Sequence, residues 1–379
     1  MALVRLLSAE PPWSGDVLVP STDGDDVFGS LPSSAHQWVR GVKQTAGGST
    51  GSVFKAFDLG LRLLTQAVLT RSHPAVRHCD LVVANTTRAA AYAAIALQQS
   101  SKPLVVHLRD QVTIESLGVF GFRLMTKLVL PRADGIIANS HSTLATASPY
   151  IRRDALARVI PSPAGLRTLR RVEHVQSTLR VGMLARVDPW KGQMLLLEAF
   201  AQAFPGGTER LEIAGGSPFF HDDFAVELQT RARVLGIGDR VSFLGYVDDV
   251  VSLLSRWDVA VQSSLRPEPL GQNVLQYLAA GTATIVADEG GPAEWVHHDV
   301  NGLRVHPRDV AALATALREL AADPAKRRRL GAAAQRTAGL LDDHSIAQAH
   351  AQAYGDVLRQ AGGAGRIAMS VVSPIVAAA

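Results

Sequence analysis

Short apolar runs alternate with longer amphipathic stretches along most of the chain, and that alternation sets the expected elements. ALVRLLSA at the start has helical spacing, PPW and Gly15 interrupt it, and Asp16–Pro20 (DVLVP) reads as a strand. Ser21–Ser52 is polar and turn-rich, ends in AGGSTGS, and predicts a loop. Phe54–Thr70 is an amphipathic helix, read as packing on a sheet, with a membrane-surface helix as the alternative. A strand at Asp80–Ala84, an Ala-rich helix begun by Asn85 or Thr86, a strand at Leu104–His107, a helix at Leu117–Val129, a strand at Gly135–Ala138 and a helix opened by NSHST follow.

The text between Pro161 and Thr178 is irregular and Arg-rich and reads as a linker. A second series succeeds it: strands Leu179–Leu184, Leu211–Ala214, Val241–Leu244, Asp258–Gln262, Ala283–Ala287 and Gly302–Val305. Helices Gln193–Ala203, Phe224–Leu235, Val250–Arg256, Pro292–His297 and Val310–Ala322 alternate with them, as does one from about Gly271, and Gln348–Gln360 is a last helix. The expected class is α/β, with two Rossmann-like, doubly wound parallel sheets facing a cleft. The expected division is an acceptor-side domain over 1–165, a second domain over 166–345, and a C-terminal helix with a mobile tail over 346–379.

Composition narrows the class without changing it. The chain has 379 residues, 47% hydrophobic and 19% charged, with net charge +4. A mild, scattered excess of Arg fits anionic substrates or peripheral contact with an acidic membrane surface, and it is too small to argue for nucleic acid. One cysteine, Cys79, excludes an intrachain disulfide framework and suggests a reducing, cytoplasmic setting. No apolar run is long enough to span a bilayer.

Chemistry concentrates in the second series. Ser263–Gly281 (SSLRPEPLGQNVLQYLAAG) follows a strand, and Pro267 and Pro269 keep it extended until helical periodicity begins near Gly271. Glu268 thus precedes a helix N-terminus, which suits a phosphate, and Gln276 sits in the second turn. After Leu179–Leu184 comes ARVDPWKGQ, where Arg186 and Lys191 share one strand-to-helix loop. Arg as a fork and Lys as a point charge suit a diphosphate. A solvated basic loop and a solvated Glu are the plainer alternatives. His221, Asp222 and Asp223 are adjacent metal-ligand types, but the two acids read as helix-capping residues rather than part of a metal site.

RVDPWKGQ, LEIAGGSP, DRVSFLGYV, the Glu268 stretch, AAGTATIVADEGGPAEWV and NGLRVHP occur in the order and spacing of the retaining glycosyltransferase family 4. The second domain resembles that family, whose fold is GT-B, almost throughout. DLVVANTTRAAAYAA, the strand ending in HLRD, and ADGIIANS resemble it less sharply. The resemblance implies that Arg186 and Lys191 hold a donor's diphosphate and that Glu268 contacts hydroxyls of the transferred sugar. Gly271, Gln272 and Asn273 would bring amides to the distal phosphate, with Leu270 beside them, and Tyr246 and Val247 would lie against the base. His107 or Arg109 would stand near the reacting sugar, with Asp110 and Asn85 on the acceptor side; the alternative is His107 hydrogen-bonded in the core. Asn85 and Ser140 end strands and could equally cap helices. No metal and no cofactor beyond the nucleotide-diphosphate sugar is implied.

Two departures stand out. Where the family has Glu, seven residues, Glu, this chain has Gln276 at the second position, which predicts weaker ribose binding by about 1 kcal/mol. Family members also open with a strand and a Gly-Gly loop, whereas this sequence opens inside the following helix, and Gly47–Gly48 has no strand before it. The absent strand would lie mid-sheet. The expected activity is transfer of a sugar, with retention, to a glycan, lipid-linked or small-molecule hydroxyl. The rivals are a GT-B relic acting as a nucleotide-binding or interaction protein, and a nucleotide-sugar epimerase.

Overall fold

The computed structural model describes residues 2–20, 31–42, 53–166, 178–216, 222–362 and 368–372. It separates into two compact units: unit 1 takes Met1–Pro163 and resumes at Asp343, and unit 2 is Ala164–Asp342. Gly47–Gly48, His221 and residues 167–177 of the expected linker lie outside the described residues.

Unit 1 begins with strands β1 (Ser14–Val19), β2 (Ala35–Val39), β3 (Leu81–Ala84), β4 (Leu104–Leu108), β5 (Gly135–Ala138) and β6 (Leu156–Val159). Every residue of β3, β4 and β5 is buried, as continuous apolar runs covered on both faces by helices should be. β2 falls inside the stretch expected to be loop. Among the described residues it pairs only with β1, leaves Val39 59% exposed, and so carries the weak apolar signal of a sheet edge. β6, also absent from the expected series, is the opposite edge.

Unit 2 contains β7 (Arg180–Leu184), β8 (Arg210–Ala214), β9 (Val241–Gly245), β10 (Val259–Gln262), β11 (Ala283–Ala287) and β12 (Leu303–Val305). All pairings are parallel, in the order β12-β11-β10-β7-β8-β9. The order reverses between β7 and β10, the point at which doubly wound sheets place a ligand crevice at the carboxyl ends of their strands.

The end of the chain departs most from expectation. Residues expected to be a tail include a strand, β13 (Ala368–Val372), which runs parallel between β1 and β3. Unit 1's sheet is therefore β2-β1-β13-β3-β4-β5-β6, with the strand formed by residues 368–372 at a mid-sheet position. Part of the apolar run that reads as a tail is thus a central strand of the sheet. Among the described residues no helix is long and apolar enough to cross a membrane.

Helix Asp343–Gln360 also belongs to unit 1, burying Ile346, His350, Ala353, Tyr354 and Val357 at helical spacing. His107, at 4% exposure on β4, has its Nε2 2.9 Å from Tyr354 Oη. Its ring lies 5.1 Å from that of His350, and Trp13 meets Tyr354 edge-on at 5.2 Å. His350 Nδ1 donates to Ile346 O at 2.8 Å. Burial lowers the proton affinity of both histidines: His350 is pushed down to about 4, and His107 well below the imidazole range, helped by the charges of His350 and Arg109.

Both histidines are neutral in the folded chain and protonate near 6.5 when unfolded. Their contribution to stability is complete above about 6.5 and is lost as pH falls toward about 4. Denaturant titrations across that window are expected to show unit 1 losing ~3 kcal/mol through His350 alone. His350→Phe should flatten the profile; an unchanged slope would refute the assignment.

Candidate active site

The loops that leave β7 and β10 meet at the reversal of strand order. After β7, Asp188 caps the short 3-10 turn Pro189–Lys191 by accepting from Trp190 N, and Gly192 follows at φ 81°. A Cβ on Gly192 would lie 1.9 Å from Ser263 O, so only glycine lets the two loops come this close. Leu265 N donates to Trp190 O at 2.7 Å and Ser263 Oγ to Gly192 O at 3.1 Å, stitching the loops through their main chains.

That stitching brings Lys191 onto Glu268. Lys191 Nζ lies 2.6 Å from Glu268 Oε1, which also accepts from Ser264 Oγ at 2.7 Å. Both side chains of the ion pair are well buried, at 16% and 8% exposure. Burial pulls the Lys191 pKa below its ordinary value, against the opposing attraction of Glu268. Arg186 is closer to solvent, with Nη2 3.3 Å from Asp188 Oδ2. Trp190 gathers cations: Lys191 Nζ stands 3.9 Å from its ring centre, the Arg266 guanidinium 4.2 Å and that of Arg186 6.0 Å. Arg266 was missed by the sequence reading. It lies two residues before Glu268, but only the fold carries it to Trp190.

Gly271 caps helix Gln272–Ala279 from a left-handed conformation, with Leu270 buried before it and Gln272 half-buried in the first turn. Asn273 is engaged elsewhere: its Nδ2 donates to Leu184 O at 3.0 Å, beside Tyr277, whose hydroxyl accepts from Leu184 N at 2.7 Å. Asn273 and Tyr277 thereby tie the helix to the end of β7. Gln276 Nε2 donates to Ala164 O at 3.0 Å. A carboxylate in that position could not donate, which gives the amide a structural reason to stand there. Tyr246, 69% exposed, and Val247 follow β9 at the same end of the sheet.

In unit 1 the residues at the carboxyl ends of β3 and β4 form a second cluster. Asn85 Oδ1 accepts from Arg109 Nε and Nη2 at 3.2 and 2.7 Å, and Arg109 Nη1 donates to Ser162 Oγ at 2.7 Å. Burial lowers the Arg109 pKa to about 10. Asp110 is exposed. Thr86, rather than Asn85, caps the Ala-rich helix, while Ser140 caps helix His141–Ala147. His107 occupies the place of the alternative reading, hydrogen-bonded within the core. Asp223 lies in the first turn of helix Asp222–Val234.

With this geometry in hand, comparison with known proteins is informative. Residues 168–337 match the family model described as glycosyl transferases group 1. A glycogen synthase of Mycobacterium tuberculosis is 37% identical over 179 residues, which is 46% of this chain and 41% of that protein. The lipopolysaccharide core biosynthesis mannosyltransferase LpcC of Rhizobium leguminosarum is 29% identical over 204 residues, 53% of this chain and 58% of that protein. The chain thus spans about half the length of the curated relatives it matches. Anabaena Alr3699/HepE, solved with UDP and glucose, superposes with a TM-score of 0.74 at 24% identity, covering 94% of this chain and 95% of that one. Sucrose-phosphate synthase of Thermosynechococcus elongatus gives 0.78 at 23% identity, covering 94% and 92%. These likenesses establish the fold, α/β with parallel sheets of the GT-B class.

The Glu268 loop depends on a neighbouring glycine. Gly290 has φ 68°, and a Cβ there would sit 2.6 Å from Glu268 O and 2.8 Å from its nitrogen, while Gly291 N donates to Glu268 O at 2.8 Å. Gly290→Ala is expected to destabilise unit 2 by roughly 2–4 kcal/mol. Gly236→Ala, at φ 69° with open space around it, should lose only about 1 kcal/mol. Equal losses in thermal denaturation would show that contact with Glu268 is not the cause.

Proposed function

We propose that the protein is a retaining glycosyltransferase of family 4, moving a sugar from a nucleotide-diphosphate donor to an acceptor hydroxyl. The observation that carries this reading is the meeting of Arg186, Lys191 and Glu268 at the strand-order reversal of unit 2. The reversal is where doubly wound sheets bind nucleotides. The match of residues 168–337 to group 1 glycosyl transferases supports it, as does the likeness in fold to a protein solved with UDP and glucose.

The chemistry follows from charge. The bond between the anomeric carbon and the diphosphate oxygen breaks, and negative charge grows on the leaving nucleotide. Arg186 and Lys191 are the cations that meet that charge, with the amides at the start of helix Gln272–Ala279 beside them. The acceptor oxygen bonds the anomeric carbon on the face the nucleotide leaves, and its proton passes to the departing phosphate oxygen. Glu268, already accepting from Lys191 and Ser264, keeps a second oxygen for sugar hydroxyls. Asn85 and Arg109 in unit 1 serve the acceptor. The acceptor is a glycan, a lipid-linked glycan or a small molecule.

A nucleotide-binding relic is the second reading, favoured by Gln276, whose NH2 is committed to Ala164 O. A panel of nucleotide sugars with detection of nucleoside diphosphate release separates the two, and NMR of the product reports the anomeric configuration. Arg186→Ala and Lys191→Ala are each expected to lower kcat/KM by ~10²–10³. Undiminished turnover in both variants would end the proposal, and nucleotide binding without release would select the relic.

A further inference from the structure

We propose that Arg266 is a third anion-binding residue of the site in unit 2, presented by the Trp190 ring to the same diphosphate as Arg186 and Lys191. The inference rests on the donor reading above and adds a residue to it. The three cations differ in what they already hold. Lys191 Nζ is bonded to Glu268 Oε1 at 2.6 Å, and Arg186 Nη2 lies 3.3 Å from Asp188 Oδ2. The Arg266 side chain makes no hydrogen bond and no ion pair among the described residues, and its guanidinium stands 4.2 Å from the centre of the Trp190 ring.

A guanidinium on an indole is attracted by the ring's quadrupole and gives up none of its N–H donors to be held there. Arginines with a structural task spend those donors. Arg132 uses its own on Asp134 and three main-chain carbonyls, and Arg308 forks onto Glu289 at 2.7 and 3.0 Å. Arg266 is instead fixed by its ring contact while its planar fork remains available, which suits bidentate recognition of a phosphate. It is also the cation near Trp190 whose charge no carboxylate of the site meets within bonding distance.

The main chain that carries Arg266 is braced on both sides. Leu265 N donates to Trp190 O at 2.7 Å, and Leu265 O accepts from Arg308 Nη1 at 2.8 Å. Pro267 follows and keeps Arg266 out of the helical region. Backbone and ring together hold the half-buried side chain ready, so little freedom is lost when an anion arrives. Trp190 is then a positioning residue. It acts through Arg266 and through Lys191, whose Nζ stands 3.9 Å from the same ring centre.

Calorimetric titration of the full chain with inorganic pyrophosphate and with UDP tests this. Arg266→Gln is expected to weaken both at least ~10-fold, and Arg266→Lys, which keeps the charge without the planar fork, should recover only part. Trp190→Leu should weaken binding and Trp190→Phe should restore it. In the Trp190→Leu background Arg266→Gln should cost less than it does alone, a coupling that lost packing would not produce. Unchanged affinity in Arg266→Gln, with Arg186→Ala and Lys191→Ala impaired, would overturn the proposal and leave the donor reading standing. The reverse pattern would strike the pair Arg186 and Lys191 from that reading and keep Arg266 as the anion-binding residue. A loss confined to UDP would put Arg266 on the nucleoside, and equal losses with and without Trp190 would show that the ring does not present it; either overturns the proposal.

Discussion

Lys191 and Glu268 are 77 residues apart in sequence and 2.6 Å apart in space, and the rest of unit 2 is arranged so that they can be. A buried ion pair is a poor source of stability, because both charges give up water to make it. Its presence here is explained by loop geometry: two strands on either side of a reversal, a glycine that admits the approach, and main-chain hydrogen bonds that hold it. Once desolvated, Lys191 is a stronger partner for an arriving anion than any exposed lysine would be. Three cations lie around Trp190, against the two carboxylates of Asp188 and Glu268.

Unit 1 obeys a different constraint, the need of a parallel sheet for a partner on each side of every inner strand. The strand that meets it comes from beyond the last helix, after unit 2 has intervened. That end of the chain makes two contributions. Helix Asp343–Gln360 places Tyr354 and His350 against His107, and β13 fills the sheet. His107 thus works as an anchor for a helix. Arg109, two residues on, is the residue of β4's end that reaches Asn85 and Ser162.

Gln276 gains a similar explanation. Read alone, it is a missing charge in a nucleotide site. In the structure its NH2 binds the carbonyl of Ala164, and Asn273 and Tyr277 on the same helix bind the end of β7. Helix Gln272–Ala279 is therefore located by three polar side chains, each spent on the main chain.

The α/β class, the inner strands β3, β4, β5, β7, β8, β10 and β11, and the Arg186, Lys191 and Glu268 loops were legible in the sequence. Buried parallel strands are uninterrupted apolar runs, and loop chemistry is carried by residue type and local spacing. The edge strands β9 and β12 were legible as well, whereas β2 (AHQWV), inside a polar, turn-rich stretch, and the short β6 (LARV) were not. Arg266's approach to Trp190, the pairing of His107 with Tyr354 and the placement of residues 368–372 were also out of reach. Each joins segments distant along the chain or turned by a loop, and periodicity reports only on neighbours a turn or a strand away. Local pattern determined which elements form; only the closing of main-chain hydrogen bonds in three dimensions decided that the last strand in the sequence would stand in the middle of the sheet.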